Sequence, residues 1–200
     1  DVYKRQSQYN TYLKSLKSLP TKLHKLINDF TPVAKKISKK IALADACYFI
    51  GRNIGYPIAL EGSLKLKEIS YMHSEGFAGG EMKHGPIALI DKGTITICII
   101  PNNELYEKSL SNTQEISARN GRVVILSSLT LKKNSGALDI PQLPKENFID
   151  SPFIYTIPLQ LISYYFALSE GTDIDQPRNL AKSVTVESVS YTHLTLPTIE

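Results

Sequence analysis

Apolar positions follow two rhythms along this chain. In residues 8–30, Leu13, Leu16, Leu19, Leu23, Leu26 and Ile27 recur at helical spacing with lysines between them, which predicts one or two amphipathic helices broken near Pro20. Thr31-Pro32 then reads as an N-cap followed by proline at the first helical position, opening a helix to about Ala44. Three runs, 46–50, 94–100 and 123–127, are almost continuously apolar, the pattern of parallel strands buried on both faces. Between them the spacing predicts a helix from Pro57 to about Phe77 and another from Asn103 to Asn120, ended by Gly121. A shorter strand is expected at 138–142, and Ser151-Pro152 opens a strongly apolar helix that runs to Gly171. The alternation is βαβ. It predicts an α/β fold: a doubly wound, mainly parallel sheet flanked by helices, with right-handed crossovers, a helical lead-in over 7–45 and an extended C-terminal tail.

The helix expected at 57–77 carries a charged strip. At about 100° per residue, Glu61, Lys65 and Glu68 fall within roughly 60° of one another, with Leu60, Leu64 and Tyr71 to one side and Ala59, Leu66 and Ile69 to the other. A helix packed on both flanks would hold such charges only if they were paired or used for chemistry, because unpaired buried charge is costly. Spacing alone favours a salt-bridge ladder, by roughly three to one.

Composition narrows the classes. Two hundred residues at 42% hydrophobic suffice for one domain with its own core. No apolar run approaches the ~18 residues that cross a bilayer, and no signal-peptide core precedes the domain, so a soluble protein with no membrane partner is expected. The net charge of +4 is uneven: residues 1–45 hold ten basic against three acidic side chains. Those lysines alternate with the leucines, which describes the solvated face of amphipathic helices and argues against a nucleic-acid partner. Cys47 and Cys98 lie inside apolar runs without zinc or disulfide spacing, and read as buried free thiols of a cytoplasmic protein. Gly51-Arg52-Asn53-Ile54-Gly55 follows the first strand and feeds a helix N-terminus, where backbone N–H groups could hold an anion; a tight turn with no ligand explains it equally well.

Four motifs in order carry a more specific signal: Ile58-Ala-Leu-Glu-Gly-x-Leu-Lys-Leu-Lys-Glu-Ile-Ser-Tyr71, Glu81-x-Lys-His-Gly-Pro86, Pro101-Asn-Asn103, and Gly171-Thr-Asp-x-Asp-Gln-Pro-Arg-Asn-Leu-Ala-Lys-Ser-Val-Thr-Val-Glu187. From about Tyr9 to Glu187 the chain resembles the isomerase half of the glucosamine-6-phosphate synthases, the glutamine:fructose-6-phosphate aminotransferases. The resemblance implies the second of two tandem sugar-isomerase (SIS) domains over 46–171, with a flavodoxin-like fold, and a catalytic tail over 172–187. It implies that the family's glutaminase domain and first SIS domain, with the loop that grips the sugar phosphate, lie outside this sequence, so the chain alone is expected to be inactive. Residues 1–6 and 188–200, the latter holding His193, are read as non-native ends.

The resemblance also assigns roles. Glu68 matches the carboxylate that moves a proton between C1 and C2 of the sugar, His84 the acid/base that opens the ring, and Lys182 the amine that forms a Schiff base with the open-chain ketose. Glu61, Lys65, Arg178 and Ala181 are expected as substrate-binding or supporting residues, with Lys65 and Arg178 lowering the pKa of Lys182. No cofactor or metal is implied; the partners are fructose-6-phosphate and glucosamine-6-phosphate, the absent domains and, in the complete enzyme, a second subunit of a homodimer. Taken singly, His84 could cap a turn and Lys182 could be a solvated tail lysine. Two alternatives stand beside this reading: another SIS-family sugar-phosphate isomerase or deaminase, and a non-catalytic sugar-phosphate-binding module. The complete tail argues against the first, and a retained base without the phosphate grip against the second.

Overall fold

The computed structural model describes residues 2–131, 137–138 and 141–180. Four strands, β1 (Ala46–Gly51), β2 (Ser74–Ala78), β3 (Thr94–Ile100) and β4 (Arg122–Ser127), form one sheet in the order β2-β1-β3-β4 with every pairing parallel. Among the described residues, four α-helices flank it: α1 (Val2–Ile41), α2 (Gly55–Ser70), α3 (Tyr106–Ser117) and α4 (Ser151–Glu170).

The near-continuous apolar runs are explained by burial on both faces. Successive strand residues point to opposite sides, so Cys47, Phe49, Ile95, Ile97, Val124 and Leu126 enter a core shared with α1, α2 and α4. Their neighbours Tyr48, Ile50, Cys98, Ile100, Val123 and Ile125 enter a second core with Ile116 of α3 and with Met82 and Ile90 of the β2–β3 connection. The expected doubly wound architecture is present, and α4 begins and ends as its sequence predicts, with Pro152 in the first turn and Gly171 left-handed at φ 70°.

Tertiary structure overrides the pattern in four places. The expected break near Pro20 and new start at Thr31-Pro32 are absent: α1 is one helix containing both prolines. A proline inside a helix costs about 3 kcal/mol. Both prolines face solvent, while Leu26, Phe30, Ile37 and Ile41 are buried in the first core with α4, at ~1.5–3 kcal/mol for each fully buried side chain. Thr31 works inside the helix, its hydroxyl donating to the Ile27 carbonyl at 2.7 Å. A polar anchor adds to this packing. Asp150, fully buried at the start of α4, pairs with Lys22 Nζ at 2.7 Å and accepts from the Ser15 hydroxyl.

The helix expected through Phe77 stops at Ser70, and β2 follows as an edge strand that periodicity missed. Continuing the helix to Phe77 would have cost about 1 kcal/mol at Gly76. In β2 the absence of a side chain is useful: a Cβ on Gly76 would meet the Leu60 Cα at 3.0 Å, so only glycine lets α2 lie this close to the strand. α3 is shorter than the expected 103–120, and its left-handed end residue is Asn120 (φ 63°), one place before Gly121. Where a strand was expected at 138–142, the described residues give a single parallel bridge, Gln142 to Ser127, flanked by N–H bonds from Leu138 and Leu143 to the Val123 and Ser127 carbonyls.

Candidate active site

Chain direction fixes where the charged strip stands. Parallel β1 and β2 are joined by α2, which therefore runs back from the carboxyl ends of the strands toward their amino ends. The Ser74 hydroxyl donates to the Ser63 carbonyl at 2.7 Å, so the first residue of β2 is level with the middle of α2, and Glu68 lies beyond it. The strip belongs to the amino-end side of the sheet.

Within the strip, Lys65 Nζ donates to Glu68 Oε2 at 2.7 Å and stands 3.9 Å from Glu61 Oε1. The hydrogen bond to Glu68 and the charges of Glu68 and Glu61 raise the Lys65 pKa above its ordinary value, against an opposing effect of burial, so a fixed cation adjoins Glu68. The expected packing on both flanks is only half present. Ala59 and Leu66 are buried in the first core, but Leu60 and Leu64 are about 40% exposed on the other flank. The strip is therefore open to solvent, with Glu68 26% exposed.

The segment after α4 returns to the C-terminal end of α2. The Thr172 hydroxyl donates to the Ile69 carbonyl at 2.6 Å, Asp173 Oδ1 accepts the N–H groups of Asp175 and Gln176, and the Arg178 N–H donates to the Tyr71 hydroxyl at 2.9 Å. The Arg178 guanidinium lies over the Tyr71 ring, 4.1 Å from its centroid. Arg178 is thus brought to the end of the helix that carries Glu61, Lys65 and Glu68. Lys182, Ala181 and His193 lie outside the described residues.

His84 stands elsewhere. It is exposed at the end of a short 3-10 turn, Met82–His84, and its N–H donates to the Glu81 carbonyl at 2.9 Å. Met82 anchors this turn in the second core, on the face opposite α2, and Lys83 pairs with Glu115 of α3 at 3.1 Å. No hydrogen bond or ion pair joins His84 to Glu68, and the sheet lies between them.

The Gly51–Gly55 turn is braced by Arg52. Arg52 donates to Asn112 Oδ1 of α3 at 2.9 Å and to the Gly79 carbonyl at 3.3 Å, closing the crevice where strand order reverses. The remaining cavity, of about 10 Å³ between Arg52, Gly79, Ser109 and Asn112, has room for about one water. Sequence reasoning missed the Arg52 brace and placed Tyr71 merely on an apolar flank. The glycines from 76 onward were the one available sign that Tyr71 ends its helix.

Among the described residues no helix is long and apolar enough to cross a membrane. Residues 40–170 match the SIS domain family. A glutamine–fructose-6-phosphate aminotransferase (isomerizing) of Sphingobium yanoikuyae is 54% identical over 141 residues, which are 70% of this chain and 90% of that relative. The protein of that name from Haemophilus influenzae is 48% identical over 180 residues, 88% of this chain but 29% of its own length, so this chain spans under a third of such a relative. A solved C-terminal domain of glucosamine-fructose-6-phosphate aminotransferase from Francisella tularensis superposes with a TM-score of 0.77 at 37% identity, over 86% of this chain and 48% of that one. With this sheet, these motifs and these relatives, the chain belongs to the SIS domain family and, within it, to the family of glutamine–fructose-6-phosphate aminotransferases.

Proposed function

We propose that this chain supplies the proton-transfer face of an enzyme that makes glucosamine-6-phosphate from fructose-6-phosphate and glutamine. One observation carries the reading: α2 presents a solvent-open Glu61–Lys65–Glu68 strip, and the segment leading to Lys182 is tied to the C-terminal end of the same helix at Ile69 and Tyr71. After ammonia has replaced the C2 oxygen, the ketose imine becomes an amino aldose when a proton leaves C1 and one is delivered to C2. Glu68 is a carboxylate able to do both, and the Lys65 ammonium that donates to its Oε2 holds it in place on the strip. Before that, His84 moves the proton that opens the ring, Lys182 condenses with the C2 carbonyl of the open-chain ketose with loss of water, and ammonia then displaces the lysine amine to leave the C2 imine. Glu61, Lys65, Arg178 and Ala181 hold the sugar and the reacting groups.

Because the sheet separates His84 from Glu68 within one chain, the reading needs these two to meet across a domain or subunit boundary. A homodimer of the longer enzyme meets that need. The phosphate grip and the ammonia source then belong to its other domains, and the 200-residue chain alone makes no product. Amino-sugar synthesis of this kind, leading on to UDP-N-acetylglucosamine, fits a cytoplasmic protein with two buried, unpaired thiols.

The test is hydrogen exchange between solvent and the sugar carbons in the full-length enzyme. Glu68→Gln is expected to retain fructose-6-phosphate binding and to abolish exchange. Exchange at the wild-type rate in that variant would remove Glu68 from the role.

A further inference from the structure

Tyr71 occupies a position that a bulky residue rarely takes. It ends α2 in the left-handed region, at φ 63° and ψ 9°, with its own N–H bonded to the Lys67 carbonyl. Glycine, and to a lesser degree asparagine, adopt this conformation without the clash that a Cβ brings. The chain does use such residues for the same task elsewhere: Gly171 ends α4 at φ 70° and Asn120 follows α3 at φ 63°. Backbone strain held by an aromatic side chain points to something the side chain does.

Its contacts say what that is. The Tyr71 hydroxyl accepts the Arg178 N–H at 2.9 Å and the ring carries the Arg178 guanidinium at 4.1 Å, so one side chain holds both the backbone and the charge of one residue 107 positions later. Nearby, the Thr172 hydroxyl is tied to the Ile69 carbonyl, which fixes the other end of the same segment to the same helix end. Between the two ties, Asp173 closes a turn of its own on Asp175 and Gln176. Glu68 is three residues before Tyr71, and its partner Lys65 one turn earlier.

We propose that Tyr71 is a positioning residue: from its strained place at the end of α2 it seats the 172–180 segment beside Glu68 and acts on the chemistry only through that segment. The consequence for catalysis rests on the function proposed above, whereas the seating itself does not.

Three variants test it. Tyr71→Phe keeps the ring and removes the acceptor; Tyr71→Ala removes both; Tyr71→Gly removes both and relieves the backbone. In the 200-residue chain, amide hydrogen exchange at Arg178 is expected to accelerate at least tenfold in all three, while Tyr71→Gly melts at or above the wild-type temperature. A merely structural role predicts that relieving the strain leaves Arg178 protected. In the full-length enzyme, kcat is expected to fall at least tenfold in Tyr71→Gly and less in Tyr71→Phe, and KM for fructose-6-phosphate to rise more in Tyr71→Gly than in Tyr71→Phe, because the released segment carries Arg178. Unchanged exchange at Arg178 overturns the proposal, and so does an unchanged kcat in an active enzyme. If the wild-type full-length protein forms no glucosamine-6-phosphate, the function proposed above fails, and exchange at Arg178 alone then decides for or against the seating by Tyr71.

Discussion

Two lysine–carboxylate pairs in this molecule have the same length and opposite uses. Lys22–Asp150 and Lys65–Glu68 are both 2.7 Å, but Asp150 is 0% exposed and Glu68 is 26% exposed. The first carboxylate has been taken out of water and depends on its partners, Lys22 and the Ser15 hydroxyl, to offset that cost. The second retains solvent, so its ion pair is worth little to stability and its oxygens stay available to a ligand. The difference separates a joint from the proposed site: one pair holds α1 against the start of α4, and the other is presented to solvent on α2.

The largest expected effect tests the joint. Lys22→Met leaves Asp150 buried with no cation, and should cost about 3 kcal/mol of unfolding free energy, read by urea denaturation. A loss under about 1 kcal/mol would show that water reaches Asp150 and that the contrast is false. Next, adding Asp150→Asn to Lys22→Met removes the stranded charge, so the double variant should be more stable than Lys22→Met alone by on the order of 1 kcal/mol. The site should behave differently. Lys65→Met is expected to change stability by no more than about 1 kcal/mol in the same assay.

The smallest effect is a pH dependence. The Glu68 hydrogen bond and the two carboxylate charges raise the Lys65 pKa above 10.5, so the folded chain holds this proton more tightly than the unfolded one. The stability from this pair is complete below pH 10.5 and fades as pH rises through the folded value. Denaturation midpoints of wild type and Lys65→Met should therefore differ by a constant amount from pH 7 to 9 and converge above the ordinary lysine value. A difference that grows with pH would reverse the sign argued here.

Much of this was legible in the residues. The apolar runs of β1, β3 and β4, Pro152 at the start of α4 and Gly171 at its end each state a local requirement that the fold satisfies. The spacing of Glu61, Lys65 and Glu68 was likewise enough to put them on one strip. What spacing could not supply was the environment of that strip, because whether Leu60 and Leu64 meet a neighbour depends on what lies against α2.

By itself, then, the sequence determined the α/β alternation, the two-faced burial of its strands and the family motifs, because each is encoded within a few residues of chain. Only the tertiary structure decided that α1 runs unbroken through Pro20 and Pro32, since burial along α4 outweighs the loss of local hydrogen bonds. It alone set β2 under α2, where Gly76 admits the helix backbone, and put His84 on the face opposite Glu68. And it alone joined Arg178 to Tyr71 across 107 residues, a contact that no local pattern contains because its strength comes from two distant segments meeting at one helix end.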